Sequence, residues 1–220
     1  MAEVEAVPAA SVIVLRPGSI GTPFEVLMIR RTEQASFVPN AWVFPGGMVE
    51  TLDYEIGGGA LSGAMPVAGV RELFEETGVW LGAPLADAEH KRRQLLAGVV
   101  SFRHVLHEAE VDFERLVWTS HWITPFGVPK RFDTWFFLAL AGPDTTATAE
   151  QNEAVDAVWI APEQALERYR RGEWKMVFPT VRNLEAICGF ESAEALLESR
   201  RGATIEAIQP VIVDGRIELP

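Results

Sequence analysis

The chain alternates between short apolar runs rich in β-branched residues and longer segments in which apolar residues recur every three or four positions. The apolar runs predict strands, because most of them end at a turn containing proline, glycine or polar residues. The predicted strands cover residues 10–16, 24–30, 42–44, 117–123, 134–141 and 157–160. Asp214-Gly215 suits a tight two-residue turn and predicts a hairpin in the final segment PVIVDGRIEL.

Helical spacing is clearest from Pro66 to Thr77, where proline suits the first turn and Gly78 suits the C-terminal stop. The glycine-rich segment 51–65 before it predicts a loop. Further helices are expected over residues 84–98, 101–109, 162–171, 179–187 and 191–200. Because strands and helices are mixed without strict alternation, the pattern predicts an α+β fold, a mixed sheet between helices in an α/β/α sandwich with extra C-terminal helices.

Composition restricts the classes of partner. The chain has 220 residues and 48% apolar content, which suits a single domain over residues 1–220. Its 19 basic and 31 acidic residues give a net charge of −12, which disfavours nucleic acid because phosphate backbones attract lysine and arginine. The apolar runs are shorter than the roughly 18 residues of a membrane helix, and acids stand where a signal peptide carries bases. We therefore expect a cytoplasmic protein with no nucleic-acid or membrane partner.

Acidic residues are concentrated in the segment RELFEETGV at residues 71–79. At about 100° per residue, Glu72, Glu75 and Glu76 share a sector about 100° wide, with apolar residues on the opposite side. Three acids on one face repel one another, and Arg71 reaches only Glu75 at i+4. A hard cation such as Mg²⁺ or Mn²⁺ would relieve this repulsion, since these ions prefer oxygen ligands. The simpler interpretation is a solvated acidic face.

Together with the FPGG run at residues 44–47, this segment resembles the Nudix box, whose pattern is G-x5-E-x7-R-E-U-x-E-E-x-G-U with U apolar. The second half matches at seven positions: Arg71, Glu72, Leu73, Glu75, Glu76, Gly78 and Val79. In the first half, Gly47 leads to Asp53, which stands where the family has a glutamate. Seventeen residues lie between Asp53 and Arg71 where the pattern allows seven, so an insertion at about residues 54–63 interrupts the box.

The resemblance implies a single Nudix-like hydrolase domain over residues 1–220, with the box region at 46–79 and helical additions at about 84–109 and 179–201. It implies hydrolysis of a diphosphate linkage in a nucleotide derivative, with Mg²⁺ or Mn²⁺ as cofactor. The interrupted box and the runs ASFVPNAWVFPGG and WITP…RFDTWFF are most similar to the branch that includes organellar coenzyme A diphosphatases. Coenzyme A is therefore the favoured substrate.

Other functions stay open beside this one. The substrate could instead be ADP-ribose, NADH or another nucleoside diphosphate derivative. The chain could also be a Nudix-fold regulator that binds a nucleotide without cleaving it, although such proteins typically lose the box carboxylates that are present here. The resemblance also allows a homodimer.

The resemblance assigns roles to individual residues. The metal ligands that it implies are Glu72, Glu75, Glu76 and the carbonyl of Gly46, with Gly47 as the alternative carbonyl. Glu72 is either a third ligand or the proton acceptor. An acid from a distant loop can also serve as ligand or proton acceptor, and Glu153 is the candidate for it and Glu150 the competitor. The expected structural residues of the box are Gly47, Asp53, Arg71 and Gly78. The first acid of the box steadies the arginine in the family, a role open here to Asp53, Glu50 or Glu55.

Substrate contacts are harder to assign from the sequence. Arg30, Arg31 and Arg131 are candidates for holding phosphate, because a guanidinium fork matches phosphate oxygens. Phe37 and Trp42 are candidates for stacking on a base. Surface positions for the arginines and core positions for the aromatic residues are the simpler alternatives.

Overall fold

The structure, a computed structural model, describes residues 4–19, 21–35 and 37–219. The strands in these residues are β1 (Val7–Pro17), β2 (Phe24–Arg31), β3 (Ala41–Val43), β4 (Gly46–Met48), β5 (Val117–Ile123), β6 (Phe132–Leu140), β7 (Ala154–Ile160), β8 (Lys175–Met176), β9 (Ala207–Ile208), β10 (Val211–Val213) and β11 (Arg216–Glu218). The helices are α1 (Thr51–Ile56), α2 (Leu61–Thr77), α3 (Ala88–Leu96), α4 (Phe102–Glu108), α5 (Pro162–Arg170), α6 (Phe178–Ile187) and α7 (Ala193–Arg200).

One mixed sheet organises the fold. Within the described residues its strand order is β8-β3-β2-β1-β6-β5-β9, with β4 also paired to β1 and β7 to β2. The central strand β1 is antiparallel to β2 and β4 and parallel to β6. It is buried from Ala9 to Leu15, which is why its sequence is a continuous apolar run rather than an alternating one. Strands β10 and β11 form the predicted hairpin around Asp214-Gly215.

Helices cover both faces of the sheet. On one face, α2 contacts β1 and β6 through apolar residues such as Leu73 and Met65. On the other face, α5, α6 and α7 supply Leu166, Leu184 and Leu196 to the largest core cluster. Helices α3 and α4 pack against the far side of α2. This arrangement confirms the predicted α+β sandwich, and no helix in the described ranges is both long and apolar enough to cross a bilayer.

The prediction of a loop over residues 51–65 is wrong, because α1 and the start of α2 lie there. A capping box starts α1, since the Glu50 amide donates to Asp53 Oδ2 at 2.8 Å. Helix α2 begins at Leu61, so Pro66 lies inside the helix and removes one backbone donor. Its buried neighbours Met65 and Val67 pack into two core clusters, and this tertiary packing offsets the lost hydrogen bond.

The segment between the two halves of the box forms a tight helical crossing. A Cβ atom on Gly63 would overlap the carbonyl oxygen of Gly57, so the backbones of α1 and α2 touch at these two glycines. Gly58 and Gly59 make the turn with positive φ angles of 79° and 86°. The chain therefore returns close to its starting point, and α1 lies directly beside α2.

Candidate active site

A buried ion pair joins the two halves of the interrupted box. The side chains of Asp53 and Arg71 are 0% and 4% exposed. Arg71 Nε donates to Asp53 Oδ1 at 3.0 Å and Nη2 donates to Oδ2 at 2.9 Å, a bidentate pair. The sequence left three acids as candidates for steadying Arg71, and Asp53 is the one that makes this contact. Glu50 approaches Arg71 only to 4.0 Å, and Glu55 pairs with Arg103.

Arg71 also orients the acids of its own helix. Its Nη1 donates to Glu72 Oε1 at 2.9 Å and to Glu75 Oε2 at 3.0 Å, and its Nη2 donates to the Met48 carbonyl at 2.9 Å. Burial opposes the charge of Arg71, but its hydrogen bond to Asp53 and the surrounding carboxylates outweigh burial and raise the pKa of Arg71 above its usual range. Arg71 is therefore a permanent cation that connects β4, α1 and α2.

Three carboxylates converge where α2 meets the loop before β7. One oxygen each from Glu72, Glu76 and Glu153 lies within 4.8 Å of the other two. Glu72 and Glu76 are one turn apart on α2. The Thr32 amide donates to the Glu153 carbonyl at 3.1 Å, which holds the loop against the end of β2. The structure thus brings the two candidates for proton acceptor into one cluster.

Glu150, the competitor of Glu153, shapes the loop instead. Its carboxylate accepts from the Asn152 amide at 2.8 Å, from Asn152 Nδ2 at 2.7 Å and from the Glu153 amide at 3.1 Å. Its own amide donates to the Glu76 carbonyl at 2.9 Å, which ties the loop to α2. Glu150 therefore positions Glu153.

The two glycines of β4 allow the carboxylates to lie against the sheet. The Gly46 amide donates to Glu76 Oε2 at 2.8 Å. A Cβ atom on Gly47 would lie 2.5 Å from the carboxyl carbon of Glu72, so a larger residue there would displace that carboxylate. The contact of Gly46 with the cluster is thus made by its amide, and ligation by its carbonyl stays a prediction.

We expect Gly47→Ala to lower activity by about 10- to 100-fold, the usual effect of disturbing groups that orient metal ligands. The added methyl group would push Glu72 away from Glu76 and Glu153. Steady-state kinetics with a Mn²⁺ titration measures the effect. Gly142→Ala is the matched control, because its Cβ atom would meet only Thr145 Oγ1 at 3.7 Å. Full activity in Gly47→Ala would show that this close approach is unimportant.

Burial and mutual repulsion make the carboxylate cluster reluctant to ionise. Burial raises the pKa of Glu72 to about 7, with Arg71 opposing the rise and Glu75 and Glu153 adding to it. Burial, together with Glu72, raises the pKa of Glu76 well above its usual value, although the Gly46 amide and Arg31 lower it. A divalent cation among these oxygens would reverse this preference, because it stabilises the ionised forms.

The metal-free protein should therefore lose stability as the pH rises from about 4.5 to about 7, the interval set by Glu72. The folded state retains these protons to higher pH than the unfolded chain, so the free energy of unfolding falls across this window. Thermal melts in EDTA should show a declining Tm, and saturating Mg²⁺ should flatten or reverse the slope. Glu72→Gln should reduce the decline, and an identical slope in that variant would contradict this origin.

Glu75 is not part of the carboxylate cluster. Its side chain turns towards Arg71, and its carbonyl accepts from Arg92 Nε at 2.9 Å. Burial raises its pKa, while Arg71 opposes the rise. The helical wheel placed Glu75 beside Glu72 because it fixes only the angle of the Cα–Cβ bond, whereas the contact with Arg71 fixes where the carboxylate lies.

A cleft of about 520 Å³ opens from the carboxylate cluster, within the usual size range of small-molecule sites. Glu72, Glu76 and Glu153 line it together with both glycines of β4. Among the predicted substrate contacts, Arg31 and Phe37 line it too. The ring of Phe37 packs edge-on against Phe132 with centroids 5.2 Å apart.

Three other residues predicted to contact the substrate do not line the cleft: Arg131, Trp42 and Arg30. Arg131 is buried, donates to the carbonyls of Thr124 and Val4 at 3.0 and 2.8 Å, and stacks on Phe126. Its guanidinium thus has a structural explanation that needs no ligand. Trp42 is buried and stacks on Trp174 with centroids 4.0 Å apart, so it is a core residue.

Arg30 lies against the same aromatic stack. Its guanidinium carbon is 6.0 Å from the centroid of the Trp42 ring, and Arg30 is not among the residues that line the cleft. Successive residues of a strand point to opposite faces, so that only Arg31 of the two lines the cleft.

Sequence reasoning missed much of the cleft wall. The unpredicted lining residues include Met48, Lys130, Phe132, Thr134 and Phe136. The last three alternate along β6, and period-two spacing on a strand indicates one shared face. That spacing was the available signal, although it does not reveal that the face borders a cleft.

Comparison with known proteins gives a consistent family match. A family model described as NUDIX domain matches residues 6–178. The crystal structure of a NUDIX hydrolase from Alicyclobacillus acidocaldarius is similar with a TM-score of 0.80 and 26% identity, over 89% of this chain and 96% of that chain.

Three curated relatives also match, but this chain covers a smaller share of their length. The nudix hydrolase 7 protein of Caenorhabditis elegans is 30% identical over 80% of this chain and 58% of that protein. The acyl-coenzyme A diphosphatases NUDT19 of Gallus gallus and Homo sapiens are 25% and 24% identical, over 89% of this chain and 71% and 70% of those proteins. The chain thus spans between about three fifths and seven tenths of the length of these relatives.

Proposed function

The chain belongs to the NUDIX domain family, and from that premise we propose that it hydrolyses the diphosphate linkage of a nucleotide derivative with a divalent cation as cofactor. Coenzyme A and its thioesters are the favoured substrates. The observation that carries the proposal is the convergence of Glu72, Glu76 and Glu153 at one end of a cleft.

The donor set fits Mg²⁺ or Mn²⁺. These ions prefer carboxylate oxygens and commonly bind through a few carboxylates plus the phosphates of the substrate. Glu72, Glu76 and Glu153 are the residues that would hold the ion, and its charge would favour the ionised forms of Glu72 and Glu76, whose pKa values burial raises. When bound, the ion would neutralise phosphate oxygens and acidify the attacking water.

The protein's own groups then divide the remaining work. The Gly46 amide fixes the Glu76 carboxylate, and Arg71 fixes that of Glu72. Arg31 lines the cleft and provides a cation for a phosphate oxygen. Glu153 is exposed, so a proton taken from water at its carboxylate can pass directly to solvent. Phosphoryl transfer depends mainly on positioning and charge stabilisation, which these contacts supply.

Support for coenzyme A derivatives comes from two sides. The relatives named acyl-coenzyme A diphosphatases match across most of this chain at about a quarter identity. The cleft is also large enough for more than the diphosphate, and apolar and aromatic side chains form much of its wall.

A substrate panel tests this proposal. The full chain is incubated with Mg²⁺ or Mn²⁺ and coenzyme A, an acyl-coenzyme A, ADP-ribose, NADH or a nucleoside diphosphate sugar, and the products are identified by mass spectrometry. We expect coenzyme A compounds to give a phosphopantetheine and adenosine 3′,5′-bisphosphate, with no products in EDTA. Hydrolysis in H₂¹⁸O identifies the phosphorus atom that is attacked.

Two results would contradict the proposal at different levels. Efficient cleavage of ADP-ribose with intact coenzyme A compounds would overturn the substrate assignment alone. Binding of nucleotides without cleavage of any compound would overturn catalysis and favour a regulator.

A further inference from the structure

A row of small and apolar residues runs along β1 away from the carboxylate cluster, and Ser11 and Ala9 of this row line the cleft. In the pairing of β1 with β4, Ser11 is opposite Gly46 and Ala9 is opposite Met48. In the parallel pairing of β1 with β6, Ala9 is opposite Thr134 and Val7 is opposite Phe132. Alternate residues of a strand share a face, so Ser11, Ala9 and Val7 lie in a row.

The row begins at the carboxylates and ends at the surface. Gly46, opposite Ser11, donates its amide to Glu76, which fixes the inner end. Val7 is four residues further along β1, about 13 Å away at about 3.3 Å per residue. We call the four residues Ala9, Met48, Phe132 and Val7 the apolar ramp, because none of them carries a charge.

The outer part of the ramp is unusually exposed for apolar residues. Met48 is 54% exposed although it lines the cleft, and Val7 is 41% exposed beside Phe132. Ala9, by contrast, is 6% exposed and forms the floor between them. Exposed apolar surface continuous with a ligand cleft is typical of a surface that a ligand covers.

We propose that the apolar ramp binds an extended uncharged chain attached to the reacting phosphate, with Met48 and Val7 contacting successive parts of that chain. This inference rests on the proposed function for the position of the phosphate at Glu72, Glu76 and Glu153. It assigns the ramp to the part of the substrate that is attached to the diphosphate on the side opposite the nucleoside. A charged arm would lose its hydration against these four side chains, none of which carries a charge to pair with it.

Alkyl phosphates test the ramp without requiring turnover. Dissociation constants of ethyl, hexyl and decyl phosphate are measured by calorimetry on the full chain with Mg²⁺. A fully buried methylene contributes about fourfold in affinity, so partial burial of four more methylenes should make hexyl phosphate bind at least tenfold more tightly than ethyl phosphate. Decyl phosphate should gain again, because its chain extends further towards Val7.

Matched variants assign the effect to the ramp. Met48→Gln should reduce the hexyl-to-ethyl affinity ratio at least threefold, and Val7→Asn should reduce mainly the decyl-to-hexyl ratio. Leu96→Gln is the control, because Leu96 is 46% exposed on α3, outside the cleft. Its ratios should equal those of the unmodified protein.

Three outcomes would overturn the inference. Equal affinities for the three phosphates would show that the ramp binds no chain. Unchanged ratios in both ramp variants, or reduced ratios in Leu96→Gln, would show that the chain binds elsewhere. Because these ligands contain no diphosphate, a chain-length effect with no hydrolysis of any substrate would contradict the proposed function and leave the ramp in place.

Discussion

Glu76→Gln is expected to lower the rate of diphosphate hydrolysis by on the order of 10³-fold or more. A bound cation stabilises the charge of the transition state by several kcal/mol, and each 1.36 kcal/mol corresponds to about tenfold in rate. Glu76 is the most buried member of the cluster, and Gly46 holds its carboxylate in place. A glutamine amide supplies one neutral oxygen where the cation needs a charged one.

The same substitution should leave the Tm of the metal-free protein unchanged or raise it. Glutamine removes a carboxylate whose pKa burial raises, and so removes the crowding with Glu72. Kinetics and thermal melts in EDTA measure the two effects separately. Glu198→Gln is the matched control, because Glu198 is 81% exposed on α7 and should change neither quantity. Retained turnover in Glu76→Gln would count directly against a metal site at this cluster.

Asp53→Ala is expected to reduce the free energy of unfolding by about 3–5 kcal/mol, because it leaves the Arg71 charge buried without its main partner. The side chain of Arg71 is 4% exposed, so water cannot replace the lost carboxylate. Activity should fall as well, since Arg71 also holds Glu72 through a 2.9 Å hydrogen bond. Urea denaturation with linear extrapolation measures the loss of stability.

Two comparisons show whether this loss comes from the buried ion pair. Glu55→Ala breaks the pair with Arg103, whose side chains are 54% and 46% exposed, and should cost less than about 1 kcal/mol. Asp53→Glu restores the family's residue but adds a methylene at a position with 0% exposure, which should cost about 1–3 kcal/mol through overpacking. Equal effects of Asp53→Ala and Glu55→Ala would contradict the central structural role of Asp53.

The fold could be predicted where one local signal dominates. The strands β1, β2 and β6 follow from apolar runs, and the final hairpin follows from Asp214-Gly215. The segment 51–65 was predicted incorrectly because glycine and proline signal loops locally, whereas here a backbone crossing at Gly57 and Gly63 requires glycine inside helical structure. The Glu50-x-x-Asp53 spacing was the signal for α1, as an acidic variant of the capping box.

The candidate site could also be predicted only in part. Helical spacing places Glu72 and Glu76 on one side of α2, and the resemblance to the Nudix box pointed to an acid such as Glu153. The contact of Glu75 with Arg71 follows from their i+4 spacing on one helix, whereas the burial of Arg131 depends on contacts with segments distant in sequence, such as its hydrogen bond to the Val4 carbonyl. The outer wall of the cleft combines residues of β1, β4 and β6, so it becomes visible only when the sheet is assembled.

Anomalous scattering from a crystal soaked in Mn²⁺ tests the central claim most directly. We predict a peak among the carboxylate oxygens of Glu72, Glu76 and Glu153, and its absence in Glu76→Gln under the same conditions. A crystal soaked in saturating Mn²⁺ that shows no peak at this cluster, or that shows the ion bound at other acids, would contradict the account.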